Sequence, residues 1–259
     1  MVSIESGTMD APGLGKMADY AEARLKALGF QVERSKAGAA QRDLLVGKLE
    51  GQGKRRLMLI AHMDTIYWPG ILASQPIRQE GNKLYGPGIA DDKGGMAVVL
   101  HALAILKAAG WQDYARLTVM FNADEESGSG GSGDVIANLG EQHDVVLSYE
   151  PTASREVAKA EGVLLAAAGG GALTMRVKGR SAHAGVAPQL GRNALIEAAH
   201  QMLQTRDIAK DIPGAQLNWT LLETGKTRNQ IPETATVGGD FRLTALGADE
   251  KLLAALRAK

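Results

Sequence analysis

The chain has 259 residues, 45% of them hydrophobic, which is enough to bury a core in one large domain or two smaller ones. Its 29 Lys and Arg residues balance 29 Asp and Glu residues, so its charge gives no reason to expect a nucleic acid or an anionic membrane as partner. The absence of cysteine excludes disulfides, thiolate nucleophiles and cysteine-based zinc sites, so a metal site must use His, Asp and Glu.

No apolar run approaches the ~20 residues needed to cross a bilayer, and the segment after Met1 has neither the basic nor the apolar region of a signal peptide. We therefore expect no membrane partner. As the sequence is written, a cytoplasmic location is expected, whereas an export signal upstream of Met1 would make the protein periplasmic.

The first part of the chain alternates predicted helices and strands. Apolar residues at helical spacing predict three helices, at residues 12–28, 94–109 and 134–139. Short apolar runs predict five strands, at residues 30–34, 43–49, 56–61, 117–121 and 145–149. This alternation predicts an α/β domain with a mostly parallel sheet.

The pattern changes after about residue 166, where a run of three glycines follows. Beyond it, strands are predicted at residues 173–177, 216–222 and 234–243, the last two as an antiparallel pair, and amphipathic helices at 193–203 and 248–258. We therefore predict two domains, residues 1–166 and 167–259, the second of the α+β class.

One histidine and several carboxylates follow the predicted strands of the first domain. The ends of strands in an α/β sheet line its ligand crevice, so we expect these side chains to meet there. They are His62, Asp64, Asp91, Glu125, Glu126 and Glu150. Together they offer one imidazole, one carboxylate able to bridge two cations, two further carboxylate ligands and a spare glutamate as general base. Two cations ~3.5–4 Å apart activate a shared water and polarise a carbonyl.

Each of these signals also has an ordinary structural explanation. His62 has the pattern of a surface histidine beside a capping aspartate, and Glu125 and Glu126 that of a solvated acidic loop. Asp92 precedes the helix at 94–109 and is expected to cap it. Only the combination of all segments at strand ends favours a metal site over these explanations.

Four motifs resemble, in order and spacing, those of the co-catalytic zinc exopeptidases, a family that includes glutamate carboxypeptidases, aminoacylases and desuccinylases. They are His62-Met63-Asp64-Thr65, the GPGIADDKGG segment at residues 86–95, Asp124-Glu125-Glu126 and Glu150-Pro151-Thr152. Within that family the chain looks most similar to the bacterial glutamate carboxypeptidases that hydrolyse folates. The similarity runs over essentially the whole chain, including Leu217-Asn218-Trp219-Thr220.

The resemblance implies two zinc ions. His62 and Glu150 would bind one ion and Glu126 the other, with Asp91 bridging them. Glu125 would be the general base and Asp64 would orient His62. The peptide bond after the bridging aspartate is cis in this family.

In the second domain, the resemblance implies a lid that also forms a homodimer. His183 would reach the partner subunit's site and stabilise the oxyanion, while Asn229 and Arg242 would contact substrate. Without the resemblance, His183 is better explained as a histidine of a polar loop, whereas Asn229 and Arg242 fit a turn and a solvated strand as well as they fit substrate contacts.

The chain departs from the family at its last zinc ligand, a histidine expected beyond Lys259. His101 is expected to pack within the helix at 94–109, His143 lies in a predicted loop and His200 on the helix at 193–203, so none is expected to replace it. We therefore expect a fragment in which both domains are incomplete and one zinc site lacks a ligand; such a fragment could be inactive.

The resemblance implies a carboxypeptidase, which releases a C-terminal amino acid from an N-acyl or peptidyl amide. Glutamate is the amino acid expected to be released. An aminoacylase, dipeptidase or desuccinylase of the same fold, or a non-catalytic binding module, are the alternatives. The glycine-rich stretch at residues 128–133 matches the GxGxxG pattern of dinucleotide-binding proteins, but an acidic stretch separates it from the strand. No Gly-x-Ser-x-Gly elbow follows a strand, which argues against a serine hydrolase.

Overall fold

The computed structural model describes residues 1–152, 164–165 and 167–259. The chain divides into two compact units, Met1–Gly162 and Val163–Lys259. The domain boundary predicted after residue 166 lies close to this division. What each unit does in the protein stays a prediction.

The first unit contains the predicted alternation of helices and strands. Its helices are α1 (Ala11–Leu28), α2 (Ile71–Ser74), α3 (Gly95–Ala108) and α4 (Gly133–Glu141). Its strands are β1 (Gln31–Ala37), β2 (Arg42–Glu50), β3 (Arg56–His62), β4 (Arg78–Glu80), β5 (Lys83–Tyr85), β6 (Arg116–Asn122) and β7 (Val145–Ser148). Within the described ranges, no helix of either unit is both long and apolar enough to cross a membrane.

Five of these strands form one mixed sheet in the order β1-β2-β6-β3-β7. β2 pairs antiparallel with both of its neighbours, whereas β6, β3 and β7 pair in parallel. Four strands therefore share one direction and β2 runs against them. A tight connection with left-handed backbone at Gly38 and Gln41 joins β1 to β2, and such a short link can only join antiparallel strands.

Helices cover both faces of this sheet. On one face, α1 and α3 bury a large apolar cluster against the sheet, with Leu25, Val99 and Phe121 fully buried. On the other, Met58 and Met120 pack with Leu139 of α4. Successive side chains of a strand enter these two clusters in turn, as expected for a sheet that is buried on both faces. The predicted α/β class is confirmed.

One packing expectation for α3 is wrong. Its buried residues recur at helical spacing and include Met96, Val99 and Leu103, which face the sheet. His101 lies on the other side of the helix, with the exposed Val98 and Ile105, and is itself exposed. An apolar sequence all around a helix does not show which side faces the sheet, so the sequence could not place His101.

The second unit has the α+β character that was predicted. It contains strands β8 (Gly169–Lys178), β9 (Ala182–His183), β10 (Ala215–Thr224), β11 (Gln230–Ile231) and β12 (Thr234–Leu243). Its helices are α5 (Ala194–Thr205) and α6 (Ala248–Arg257). A three-stranded antiparallel sheet has the order β10-β12-β8, and β9 pairs separately with β11. The antiparallel pairing predicted for residues 216–222 and 234–243 is confirmed.

Candidate metal centre

The predicted site residues of the first unit meet at one edge of its sheet. His62 is the last residue of β3, Glu125 and Glu126 follow β6, and Glu150 follows β7. These three strands are parallel neighbours, so their carboxyl ends lie side by side. Asp91 comes to the same edge from the irregular segment Ile89–Gly94 that precedes α3.

His62 is at the centre of this group and is almost completely buried. Its Nε2 lies 2.9 Å from Asp91 Oδ1 and 3.4 Å from Glu150 Oε1. On the other side of the ring, Nδ1 lies 3.0 Å from the backbone oxygen of Asp64 and 3.3 Å from its Oδ1. An Nδ1–H bonded to Asp64 leaves Nε2 as the nitrogen available to a metal, which fits the orienting role predicted for Asp64.

Asp64 also holds the segment that carries the two glutamates. Its carboxylate is fully buried and accepts hydrogen bonds from the backbone N–H of Glu125 at Oδ1 and of Glu126 at Oδ2, each 3.2 Å long. The hydroxyl of Thr8, near the start of the chain, donates a third bond of 2.9 Å to Oδ2. One carboxylate therefore fixes both the imidazole and the backbone beneath Glu125 and Glu126.

The segment before α3 differs from one expectation. The peptide bond between Asp91 and Asp92 is cis, as the resemblance implies. Asp92 was expected to cap α3, but its side chain makes no capping bond; it is fully buried and Oδ2 accepts the backbone N–H of His62 at 3.1 Å. Gly95 makes room for it, because a Cβ there would overlap Asp92 Oδ1. Position in the sequence cannot distinguish a helix cap from a carboxylate turned toward a neighbouring strand.

The carboxylates of this site repel one another. Burial, followed by the negative charge of Asp91, raises the pKa of Glu126 to about 7. Burial likewise raises the pKa of Glu125, with Glu150 adding to the effect. Burial also disfavours the imidazolium of His62, but its hydrogen bonds to Asp64 and Glu150 outweigh this and raise its pKa to about 11. A group of acids held this close favours a bound cation.

The donor atoms present fit a divalent metal. Among the described residues, His62 forms one possible ligand set with Asp91 and Glu126, and a second with Asp92 and Glu150; within each set the ligand atoms lie within 4.8 Å of one another. Asp92 Oδ1 is buried beside Gly95 and has no hydrogen-bond partner among the described residues. Imidazole and carboxylate donors are those that zinc accepts.

A buried polar network anchors the glycine-rich loop after Glu126. Asp124 Oδ2 accepts the backbone N–H groups of Gly131 and Ser132 at 2.8 and 3.0 Å, and Oδ1 accepts the Ser132 hydroxyl at 2.6 Å. Asn122 donates to the same carboxylate at 3.2 Å. The amides that a pyrophosphate would need are thus already bonded to a carboxylate, which argues against a dinucleotide site at residues 128–133.

The remaining histidines of the first unit do not join the site. His101 is exposed on α3. His143 has both ring nitrogens engaged, with Nδ1 2.6 Å from the backbone oxygen of Leu139 and Nε2 2.7 Å from Thr118 Oγ1. His200 belongs to the second unit, where it is exposed on α5 beside the amide of Gln204.

In the second unit, two of the three predicted substrate residues lie together. β9 pairs with β11 so that His183 is opposite Gln230, and the N–H of Ala184 donates to the backbone oxygen of Asn229 at 2.9 Å. Arg242 lies toward the other end of β12, about 26 Å along the strand from Thr234, and its guanidinium is paired with Asp240. Within this unit the structure does not bring Arg242 to His183 and Asn229.

Three residues that support this site were not predicted from the sequence to do so, namely Thr8, Asp92 and Asp124. Each acts through a hydrogen bond to a residue distant in the chain or to a loop. Asp92 and Asp124 do stand directly beside predicted ligands, which is a usable signal. Thr8 lies 56 residues from Asp64, and nothing in the sequence connects the two.

Known proteins resemble this chain in sequence and in fold. Carboxypeptidase G2 of Pseudomonas sp. (strain RS-16) is 47% identical over 243 residues, which are 93% of this chain and 58% of that protein. Acetylornithine deacetylase of Myxococcus xanthus is 30% identical over 234 residues, 83% of this chain and 58% of that protein. The chain thus spans about 58% of the length of these relatives.

A solved structure agrees in fold. The metallo-carboxypeptidase Sso-CP2 from Sulfolobus solfataricus matches 99% of this chain and 72% of its own, with a TM-score of 0.82 at 16% identity. The model of peptidase family M20/M25/M40 matches residues 58–249, well over half of the chain. Metal binding is typical of that family, in keeping with the donor sets around His62. The chain therefore belongs to peptidase family M20/M25/M40.

Proposed function

We propose that this chain is part of a metallocarboxypeptidase that hydrolyses the amide bond to a C-terminal amino acid, with glutamate as the residue released. The observation that carries the proposal is the position of Glu125, whose carboxylate lies 4.0 Å from His62 Nε2, beside the candidate metal ligands. A base next to a set of cation donors is the arrangement that amide hydrolysis by water requires. The 47% identity to carboxypeptidase G2 supports the same activity.

Two zinc ions are the cofactor in this proposal. His62, Asp91, Glu126 and Glu150 would hold them, with Asp91 bridging. When bound, such a pair polarises the scissile carbonyl and makes a water molecule more acidic.

The chain's own residues would move the proton. Glu125 accepts a proton from the attacking water as its oxygen bonds to the carbonyl carbon, and gives that proton to the nitrogen when the C–N bond breaks. Its raised pKa, caused first by burial, suits a group that must both accept and return a proton. Asp64 would keep His62 oriented and hold the Glu125 backbone in place through the bonds described above.

The second unit would be the lid and would form the homodimer. In this part of the proposal, His183 of the partner subunit donates to the oxyanion and Asn229 contacts the substrate. Arg242 is also proposed to contact the substrate, and its guanidinium is paired with Asp240 in the free chain.

The test is Glu125→Gln in the full-length protein of which this chain is proposed to be part, measured on N-(4-aminobenzoyl)-glutamate. We expect turnover to fall about 10²–10⁴-fold with bound zinc unchanged, because the change removes the base and no ligand. Glu141→Gln, an exposed glutamate of α4, is the matched control and should keep full turnover. Full turnover in Glu125→Gln would refute the assignment.

A second candidate is an amino-acid deacylase, favoured by the 30% identity to acetylornithine deacetylase. It would use the same residues on an N-acetyl amino acid. Aminoacylase, dipeptidase and desuccinylase activities belong to the same group of alternatives. Comparing kcat/KM for N-acetylornithine with that for N-(4-aminobenzoyl)-glutamate decides between them, since a carboxypeptidase of the proposed kind prefers the glutamate amide.

A further inference from the structure

The His183 imidazole is held from one side by two backbone amides. The N–H of Gly185 and the N–H of Val186 both point at Nδ1, over 3.2 and 3.1 Å. A nitrogen that receives two N–H donors must present its lone pair, because an N–H facing another N–H is repulsive. The proton of the neutral ring therefore belongs on Nε2.

We propose that the Gly185 and Val186 amides are a positioning device that fixes His183 as the Nε2–H tautomer, so that the exposed ring edge is a hydrogen-bond donor for an anionic oxygen. His183 itself and the turn after it are exposed, so the Nε2 edge is open to a ligand. A donor already in its required tautomer needs no proton rearrangement when negative charge develops on the ligand.

The turn that carries the two amides is anchored on both sides. The N–H of Ala187 donates to the backbone oxygen of His183 at 3.1 Å, which closes the turn. The N–H of Ala184 bonds to Asn229, and the Gln230 side chain donates to the Ser181 hydroxyl at 2.7 Å. The imidazole is therefore oriented by β9, by β11 and by the turn that follows β9. Among the described contacts, no other titratable side chain touches its ring.

This inference deepens the proposed function and rests on it only for the use of the donor. The tautomer is a property of the second unit alone, so it can be measured without substrate or metal. A failure of the tautomer assignment and a failure of the hydrolase assignment therefore give different results.

The experiment is a long-range ¹H–¹⁵N NMR spectrum of protein labelled at its 5 histidines, with His183 assigned by its loss in His183→Gln. We expect a single tautomer for His183, with Nδ1 unprotonated and Nε2 protonated, at a pH where the ring is neutral. The Nδ1–H form, or a mixture of tautomers like that of an exposed imidazole such as His101, would overturn the proposal.

Proline variants then test the amides themselves. Gly185→Pro and Val186→Pro each remove one N–H donor, and the double variant should convert His183 to a mixture of tautomers. Gly185→Ala and Val186→Ala keep both donors and should retain the single tautomer; a Cβ at Gly185 meets the ring only at 3.8 Å, an ordinary contact. A single tautomer in a folded double proline variant would overturn the role of the amides.

Activity separates the two proposals. If His183 has the expected tautomer but His183→Ala hydrolyses its substrate at the unaltered rate, the tautomer assignment stands and the catalytic use of the donor is refuted. If the tautomer and the loss of turnover both follow the expectation, both are supported.

Discussion

The backbone N–H of Glu125 donates to Asp64 Oδ1 over 3.2 Å, which joins the proposed general base to the residue that faces His62. The two residues are 61 positions apart in the chain and follow neighbouring parallel strands. A displacement of Asp64 would therefore move the base and the metal ligand together. This coupling leads to the first prediction.

Asp64→Asn should weaken zinc binding about 10–100-fold, because an amide cannot accept from the imidazole and from both backbone N–H groups at once. Competition with a chromophoric chelator measures the dissociation constant. Asp134→Asn, on the exposed side of α4, is the matched control and should leave it unchanged. Equal affinities of Asp64→Asn and the parent protein would show that Asp64 does not orient the site.

Zinc should raise the thermal stability of the protein, because a ligand that binds only the folded state adds about 2.7 kcal/mol at 100 times its Kd. His62→Ala should abolish this effect by removing the central donor. His101→Ala, an exposed histidine of the same unit, should keep it, and NAD should have no effect on either. Protection of His62→Ala equal to that of the parent would place the metal elsewhere.

Asp124→Asn should lower the free energy of unfolding by about 1–3 kcal/mol. In the parent protein three buried donors bond to the Asp124 carboxylate, and in the variant the asparagine NH₂ group would face some of them. Urea unfolding measures this change. Ser127→Ala removes only an exposed hydroxyl that bonds to the Asp124 backbone oxygen, so its cost should stay near 0.5 kcal/mol. Equal costs for the two variants would mean that the carboxylate does not anchor the loop.

Asp43 should make the stability of the first unit depend on pH. Burial disfavours its charged form, but hydrogen bonds from Arg34 and Lys36 outweigh burial and hold the pKa of Asp43 below its usual value. The folded-state pKa is thus lower than the unfolded one. The stabilisation is present above about pH 4 and is lost as the pH falls further through the folded-state pKa.

Asp43→Asn should accordingly lower the free energy of unfolding by about 2 kcal/mol at pH 7, and by progressively less as the pH falls below about 4. Asp19→Asn is the matched control: Asp19 bonds to the same Arg34, but its side chain is 70% exposed, and the change should cost under about 1 kcal/mol. Urea midpoints at both pH values give the comparison. A cost for Asp43→Asn that does not change with pH would contradict the assignment.

Local sequence patterns predicted the longer helices and strands, but not the short elements α2, β4, β5, β9 and β11. The helix at Ala11–Leu28 was predicted at residues 12–28 from its periodic apolar residues, and the structure adds the Asp10 cap and the left-handed Gly29 that ends it. The gathering of His62, Glu125 and Glu150 followed from the rule that strand ends of an α/β sheet line one crevice, whereas Asp91 reaches the same edge from the segment before α3. The role of Asp92 was predicted wrongly because one local pattern fits two roles. A carboxylate just before a helix can cap that helix, or it can accept a bond from the backbone of a neighbouring strand.

The sequence by itself therefore determined the longer helices and strands, which side chains have the chemistry of a metal site, and which family the chain resembles. Only the tertiary structure decided that β2 runs against its neighbours, that His101 faces outward, and that Thr8 and Asp92 support Asp64 and His62. The physical reason is the distance along the chain over which each effect acts. Periodicity and capping act within a few residues, whereas these relationships depend on how strands pair and helices pack across tens of residues.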